Sequence, residues 1–291
     1  MDKRQTILSV TLVLVSLTGC GGGGGEYTPP TGSVPPPPST SGTTLAMDLT
    51  SFQLAASGAT ASANVVTLRE ISAGTAATSA SDGVTSAGVS TVPLGSPVTT
   101  RLYIGITEVT QGQWRSLVAA SGAAVPAAPW TTAALTTASD DLLPATNLSH
   151  QHITSVLTAW NAKSFYRLRL PTAVEWENAA RAGTTTAWSW GDDERVATIA
   201  GRALVRETGT GLGGAAGPAT VAGRQPNAWG LYDVHGNAWE WVSNGGLSAA
   251  PCLRGGSWAD NAISAQSGNR IDLPAAVAHP AAGFRLVLEP R

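Results

Sequence analysis

Apolar residues recur at helical spacing in three stretches of the chain, and each stretch opens with a residue that favours a helix start. The first begins at Thr110, which forms a capping-box pattern with Gln113, and Gly122 supplies a stop signal. The second begins at Ser149 and the third at Thr172. The apolar faces of the first two comprise Trp114, Leu117, Val118, Ile153, Val156, Leu157 and Trp160. Three amphipathic helices are therefore predicted in the middle of the chain.

The β structure is predicted to be short and interrupted. Two segments, 65–71 and 101–106, are typical of strands, and a Gly/Ser/Thr/Ala-rich loop at 73–88 lies between them. Beyond Thr184, glycine and proline recur too often for long elements, which favours short strands and irregular loops. Early helices and late, loop-rich β structure predict an α+β fold for one body at residues 45–291.

The first residues resemble a bacterial lipoprotein signal. Lys3 and Arg4 precede the apolar run 7–17, which is too short to span a bilayer. Because the run ends in Leu-Thr-Gly-Cys, residues 1–19 are predicted to be removed and Cys20 to be acylated. The membrane would then be reached through lipid, with no spanning helix. We expect the protein in the bacterial cell envelope, and the glycine after the cysteine is compatible with the outer membrane.

The composition of the chain predicts a tether and argues against some classes of partner and metal site. Residues 20–44 are rich in Gly, Pro, Ser and Thr, which predicts a tether between the lipid and the body. Seventeen Lys+Arg against nineteen Asp+Glu give a net charge of −2, which argues against nucleic acid as a partner. The two cysteines exclude a disulfide framework and a four-thiolate metal site. We expect a monomer.

Specific motifs follow one another along the body. The longest, at residues 169–177, reads Arg-Leu-Pro-Thr-Ala-Val-Glu-Trp-Glu; later blocks are Gly-Asn-Ala-Trp-Glu-Trp at 236–241, Leu-Arg-Gly-Gly-Ser-Trp at 253–258 and Gly-Phe-Arg-Leu-Val at 283–287. These blocks resemble the sulfatase-modifying-factor family, which includes the formylglycine-generating enzymes. The resemblance implies an elaborated C-type-lectin-like fold, loop-rich with short strands and a few helices.

The resemblance also defines which metal chemistry to look for. Formylglycine-generating members oxidise a substrate cysteine with copper held by two thiolates that follow the Gly-Gly-Ser block, but residues 258–266 contain no sulfur. Cys252 precedes the block and is interpreted as a buried apolar residue. Iron-dependent sulfoxide synthases among the relatives need converging histidines, and no metal-binding spacing occurs here. The histidines are His150, His152, His235 and His279. We expect neither copper nor iron and assign no catalytic residue.

A structural calcium site is a further implication of the resemblance. Matched residue by residue, Asp233 and Glu240 would offer carboxylate oxygens, and Gly236 and Ala238 would offer main-chain carbonyls, a donor set that suits a hard cation. The alternative is that Glu240 pairs with an arginine such as Arg254.

Residues 259–282 differ from the framework around them, because they are small, mixed and without periodicity. They are predicted to form an exposed loop. Some relatives are variable proteins of diversity-generating retroelements, which randomise asparagine codons in such a stretch. Gln266 is the one residue here that adenine mutagenesis of these codons cannot yield. The candidate ligand-binding residues are Ala259, Asp260, Asn261, Ile263, Ser264, Asn269, Ile271, Asp272, Leu273 and His279.

These expectations combine into a non-catalytic, envelope-anchored protein that binds a protein or small ligand through residues 259–282. The alternative is an enzyme of the same family, an oxidoreductase acting on a cysteine or another sulfur-containing substrate through a non-standard site. Arg270 and Asp272 are interpreted as an ion pair rather than as an acid–base pair. The tryptophans are predicted to belong to the scaffold, with Trp130 and Trp188 left unplaced because they lie outside both the motif blocks and the predicted helices.

Overall fold

The structure, a computed structural model, describes residues 43–56, 63–71, 102–126, 140–209, 217–243 and 250–290. The predicted signal sequence, Cys20, almost all of the tether and the predicted loop at 73–88 lie outside these ranges. Within them, no helix combines the length and the hydrophobicity that crossing a membrane requires.

Within the described residues there are two sheets, and the larger has six strands. They are β1 (Thr44–Asp48), β2 (Leu54–Ala56), β3 (Val65–Ile71), β4 (Leu102–Gly105), β5 (Tyr166–Arg169) and β10 (Val287–Pro290). Their order is β2-β1-β3-β4-β10-β5, and all neighbours are antiparallel. The strand prediction for 65–71 is confirmed, and the one for 101–106 is confirmed for Leu102–Gly105. Because β10 pairs with both β4 and β5, the last strand of the chain joins the two parts of this sheet.

The smaller sheet has four short strands. They are β6 (Trp239–Val242), β7 (Cys252–Arg254), β8 (Arg270–Asp272) and β9 (Ala282–Gly283), in the order β8-β7-β6-β9. The β6–β9 pair is parallel and the others are antiparallel. The α-helices are α1 (Gln111–Ser121), α2 (His150–Asn161), α3 (Ala173–Arg181) and α4 (Val196–Ala200). Two 3₁₀ turns cover Asp140–Leu142 and Ala262–Ala265.

The first three helices form where their capping residues predict. The Thr110 hydroxyl accepts the Gln113 N–H at 3.2 Å, and the Gln113 side chain accepts the Thr110 N–H at 3.0 Å, which satisfies two free donors of α1. Gly122 ends this helix in the left-handed conformation, with φ +68°. Thr172 and Glu175 form the same capping box on α3. The helix predictions and the α+β fold class are therefore confirmed.

The main core lies between the larger sheet and the apolar faces of α1 and α2. The residues that define the α2 face are buried, and Trp160 is fully so. Its indole N–H donates to the Leu49 carbonyl at 2.8 Å, a bond that joins segments 111 residues apart. Indoles thus contribute buried area while their N–H groups remain satisfied, as expected in an interior with few long elements.

One free edge of the larger sheet is closed at Leu168 by a side chain. Asn161, at the end of α2, donates its amide N–H to the Leu168 carbonyl at 2.8 Å and accepts the Leu168 N–H at 2.8 Å. It therefore occupies both main-chain hydrogen-bonding groups of that residue in β5.

Residues 259–282 are more ordered than the sequence predicts. The stretch contains the 3₁₀ turn Ala262–Ala265 and strand β8, and residues 265–269 between them are buried. The expectation of a wholly exposed loop is therefore wrong for this part. Periodicity cannot detect elements of three or four residues, and this is the reason for the error.

Candidate functional site

The body holds the first part of the 259–282 stretch through main-chain carbonyls. The Trp188 indole N–H donates to the Ala262 carbonyl at 3.1 Å. Nδ1 of the buried His235 lies 2.8 Å from the Ala265 carbonyl. Carbonyl groups are common to all residue types, so these contacts do not depend on the side chains of the stretch.

A buried ion pair continues this anchoring. Arg254, in β7, donates to the Gly268 carbonyl at 2.9 Å and pairs with the carboxylate of Glu177. Its guanidinium also lies 5.5 Å from the ring centre of Trp176. From the other side, the Ser267 N–H donates to the Ala187 carbonyl at 2.8 Å. These anchors come from residues outside the stretch and bind its main chain, so they do not depend on which side chains the stretch carries.

The predicted ligand-binding residues fall into three groups by exposure. Ala259 and Asp272 are exposed. Asp260, Asn261, Ile263, Ser264, Ile271, Leu273 and His279 are half-buried. Asn269 is fully buried, and its amide donates to the Ile263 carbonyl, so as placed its side chain does not face a partner; its role in binding stays a prediction. Nη2 of Arg270 lies 3.3 Å from Oδ2 of Asp272, as the interpretation of these residues as an ion pair predicts.

Asp260 has a structural contact at the start of the stretch. Its Oδ2 accepts the Trp239 indole N–H at 2.7 Å and the Ser257 hydroxyl. Burial lowers the pKa of His279, and the nearby charge of Asp260 acts in the opposite direction. Asp260 thus joins the stretch to β6 and adds a negative charge near His279.

A buried cluster of three carboxylates and one arginine includes the glutamate of the Gly-Asn-Ala-Trp-Glu-Trp motif. Its members are Glu108, Asp233, Glu240 and Arg285. Arg285 donates to Glu240 through Nε at 2.6 Å and Nη2 at 2.5 Å, and both residues are 0% exposed. The Trp176 indole N–H also donates to Glu240 at 2.6 Å. Glu108 accepts from the Asn237 amide at 2.9 Å and from the main chain of the motif. Burial raises the pKa of Glu108 well above its usual range, and nearby carboxylates act in the same sense.

The calcium ligands predicted from the resemblance lie in this cluster. As placed, they do not fit an ion, because both oxygens of Glu240 accept hydrogen bonds from Arg285 and Trp176. Oδ2 of Asp233 accepts the Ala222 N–H at 2.6 Å. Arg285, rather than Arg254, is the partner of Glu240. Calcium binding by Asp233, Gly236, Ala238 and Glu240 stays a prediction from the resemblance.

The other metal-ligating side chains are dispersed. Among the described residues, no group of three or more His, Cys, Asp or Glu has the geometry to hold a metal ion. Cys252 is the free cysteine of the described ranges, and burial raises the pKa of its thiol. Its interpretation as a buried apolar residue is confirmed.

His235 makes the stability of the site depend on pH. Burial lowers its pKa to about 4, and the charges of Arg181 and Arg285 act in the same sense. Since the unfolded histidine titrates near 6.5, the unfolded chain binds more protons between pH 6.5 and 4. Stability is therefore lost as the pH falls through this window.

We expect wild type to lose about 2 kcal/mol more of its free energy of unfolding than His235→Gln between pH 7 and pH 5. Asp233, whose pKa burial raises to about 6, acts in the opposite direction in both proteins and cancels in the comparison. Urea denaturation at the two pH values measures the difference. Equal losses in the two proteins would contradict a neutral, buried His235.

A six-stranded sheet, a four-stranded sheet and few helices agree with the C-type-lectin-like fold that the motifs predict. The chain belongs to the sulfatase-modifying-factor family: the family model for the sulfatase-modifying factor enzyme 1-like domain matches residues 58–290. The family and fold expected from the motifs are thereby confirmed.

Curated relatives share parts of this domain. A formylglycine-generating enzyme of Mycobacterium tuberculosis is 43% identical over 81 residues, which is 26% of this chain and 26% of the relative. An inactive Cα-formylglycine-generating enzyme 2 of Bos taurus is 36% identical over 110 residues, 36% of this chain and 35% of the relative. The chain thus spans about a quarter to a third of the length of these relatives.

Solved structures share the fold over most of the chain. Treponema denticola variable protein 1 has a TM-score of 0.61 at 22% identity, covering 78% of this chain and 96% of that one. PvdO from Pseudomonas aeruginosa has a TM-score of 0.62 at 21% identity, covering 79% and 96%. At these identities the likeness concerns the fold.

Sequence reasoning missed several residues of the site. Arg285 lies in the motif block at 283–287, but nothing in the sequence predicts that it and Glu108 meet Glu240, which is 45 residues from Arg285 along the chain. Trp188 follows no pattern, although it supports the 3₁₀ turn. Glu194 and Glu207 belong to no sequence motif and are exposed, yet both line a cavity at the same turn.

Proposed function

We propose that this protein is a non-catalytic binding protein on a formylglycine-generating-enzyme-like scaffold, and that it binds a partner through residues 259–282. The observation that carries the proposal is the main-chain anchoring of the stretch. Trp188, His235 and Arg254 hold carbonyl groups, so outward side chains can differ without loss of the anchors. A scaffold of this kind suits a surface whose residues vary.

The cysteines of the chain support the non-catalytic part of the proposal, and the similar proteins support both the non-catalytic part and the variable binding surface. Residues 258–266 contain no cysteine, and Cys252 is a buried thiol with a raised pKa, so the thiolate pair of the copper enzymes has no counterpart here. One structural neighbour is a variable protein and one curated relative is an inactive enzyme. By analogy, we infer that a retroelement diversifies the exposed side chains of this stretch.

Sequencing the gene in sibling strains tests the binding surface. We expect substitutions concentrated at the exposed and half-buried positions of 259–282, with a reverse-transcriptase gene nearby, while residues 265–269 and the anchors stay constant. Substitutions scattered evenly over the body would refute the variable surface. Conversion of a cysteine peptide to an aldehyde by the purified protein with copper would refute the non-catalytic half and favour the enzyme alternative.

We also propose that Cys20 carries a lipid that holds the protein in the bacterial cell envelope. The support is the basic and apolar leader that ends in Leu-Thr-Gly-Cys, followed by a tether long enough to separate body and membrane. Expressed in a Gram-negative host fed an alkyne fatty acid, wild type should be labelled and recovered with the outer membrane. Cys20→Ser should lose the label completely, whereas Cys252→Ser should keep it. Labelling of Cys20→Ser would contradict acylation at this residue.

A further inference from the structure

A small cavity opens between α4 and the 3₁₀ turn of the 259–282 stretch. Its volume is about 190 Å³. Its apolar lining includes the buried side chains of Trp188 and Ile199, and Val196 stands beside it with 53% of its surface exposed. Asn261, Ala262 and Ile263 line it from the side of the turn.

The charge of the cavity is negative. Among the described residues that line it, Glu194 and Glu207 are charged and none is basic. Glu207 Oε2 accepts the Ala262 N–H at 3.1 Å, which fixes this carboxylate beside the turn. The neighbouring Arg195 is bound to Asp193 through contacts of 2.6 to 3.1 Å. Its charge is thereby paired outside the lining.

Size and chemistry together define the group that fits. Drug-sized ligands occupy pockets of about 300–1,000 Å³, so a smaller cavity suits a single side chain. A lining that combines apolar side chains with two carboxylates complements an aliphatic stem that ends in a cation. Lysine has this form, since its four-carbon stem packs on apolar surface while its ammonium carries a compact charge.

We propose that this cavity receives a lysine side chain of a protein partner. The inference rests on the proposed function, because Asn261, Ala262 and Ile263 belong to the binding stretch. It adds the chemistry of one contact: the ammonium lies between Glu194 and Glu207, and the stem lies on Trp188. The half-buried Ile263 is the position at which a substitution would change the shape of the cavity.

Titration of the full chain with Nα-acetyl-lysine methylamide tests the assignment, with the Trp188 indole N–H followed by NMR. We expect saturable shifts of this signal, and binding weaker by roughly fivefold or more for the Nε-acetylated compound, which keeps the stem and loses the charge. Glu207→Gln and Glu194→Gln should each weaken binding by roughly two- to fivefold, as for partly exposed ion pairs. Glutamine at 207 can still accept the Ala262 N–H. Asp141→Asn, which removes a carboxylate paired with Arg115 elsewhere, should change nothing.

Equal binding of the two lysine compounds, or unchanged binding by both glutamine variants, would overturn the proposal. This result is distinguishable from failure of the proposed function. If strain variation is concentrated in 259–282 but the lysine compound does not bind, the cavity assignment alone is wrong. If binding depends on Glu207 but strain variation is scattered, the cavity stands and the variable surface is wrong.

Discussion

Replacing Arg285 with alanine is expected to lower the free energy of unfolding by about 3–5 kcal/mol. The guanidinium makes two charge-assisted hydrogen bonds to Glu240 and also donates to the Gly105 and Tyr232 carbonyls, each at 3.0 Å. Without it, Glu240 stays buried beside Glu108 and loses the guanidinium that pairs with it. The cost arises mainly from this uncompensated charge, because burial of an ion without a partner is strongly unfavourable.

Guanidinium chloride denaturation measures the free energy of unfolding of Arg285→Ala. Arg167→Ala is the control, because it also removes an arginine but from an exposed position. Arg167 lies on β5 with 59% of its side chain exposed, and it reaches Glu289 at 3.5 Å. Its removal should cost about 1 kcal/mol or less, since solvent screens exposed pairs. Similar midpoints for the two variants would show that the buried cluster is not held by Arg285.

The second large effect is expected for Gly236→Ala, which should cost about 4 kcal/mol. Gly236 has φ +84°, and a Cβ at this position would lie 2.2 Å from the Leu204 carbonyl oxygen. The atoms that a Cβ would meet are main chain, so they cannot turn away as a side chain could. The Asn237 N–H donates to the same Leu204 carbonyl at 2.8 Å, and the Asn237 side chain binds Glu108. A displaced Gly236 would therefore disturb the carboxylate cluster as well.

Gly183→Ala separates the steric cost from the conformational one. Gly183 also has a positive φ, +90°, but a Cβ added to it would meet no described atom within 4 Å. Its replacement should cost about 1–2 kcal/mol, the penalty of a left-handed conformation alone. Thermal and denaturant unfolding of both variants gives the comparison. Equal destabilisation would show that the approach of Leu204 to Gly236 is not tight in solution.

Local signals in the sequence were sufficient for α1, α2, α3 and β3, whereas α4, a short helix without a side-chain cap, was not predicted. Thr110 with Gln113 and Thr172 with Glu175 define helix starts within four residues, and capping depends only on such neighbours. Val65–Ile71 is long enough for its β-branched residues to indicate a strand. The fold itself was predicted from the family motifs, because the contacts between distant segments cannot be predicted from any one segment alone.

The site was less predictable because its contacts join distant segments. Asn269 stands among small and polar residues in the sequence, yet its burial depends on the packing of residues 265–269 against the body. Trp188 acquires its role from Ala262, which is 74 residues away. Periodicity and spacing describe neighbours along the chain, so they could not identify the anchors of the 259–282 stretch or the carboxylates at its cavity.

The closed edge at β5 has a consequence for self-association. An unpaired strand at the border of a sheet can join the same strand of another copy, and this route leads to aggregation when copies are crowded. At Leu168 the N–H and C=O that such a joining would need are already bound to the Asn161 amide. At this residue one side chain thus takes the place of a neighbouring strand, and a second copy could pair through the Leu168 main chain only by displacing Asn161.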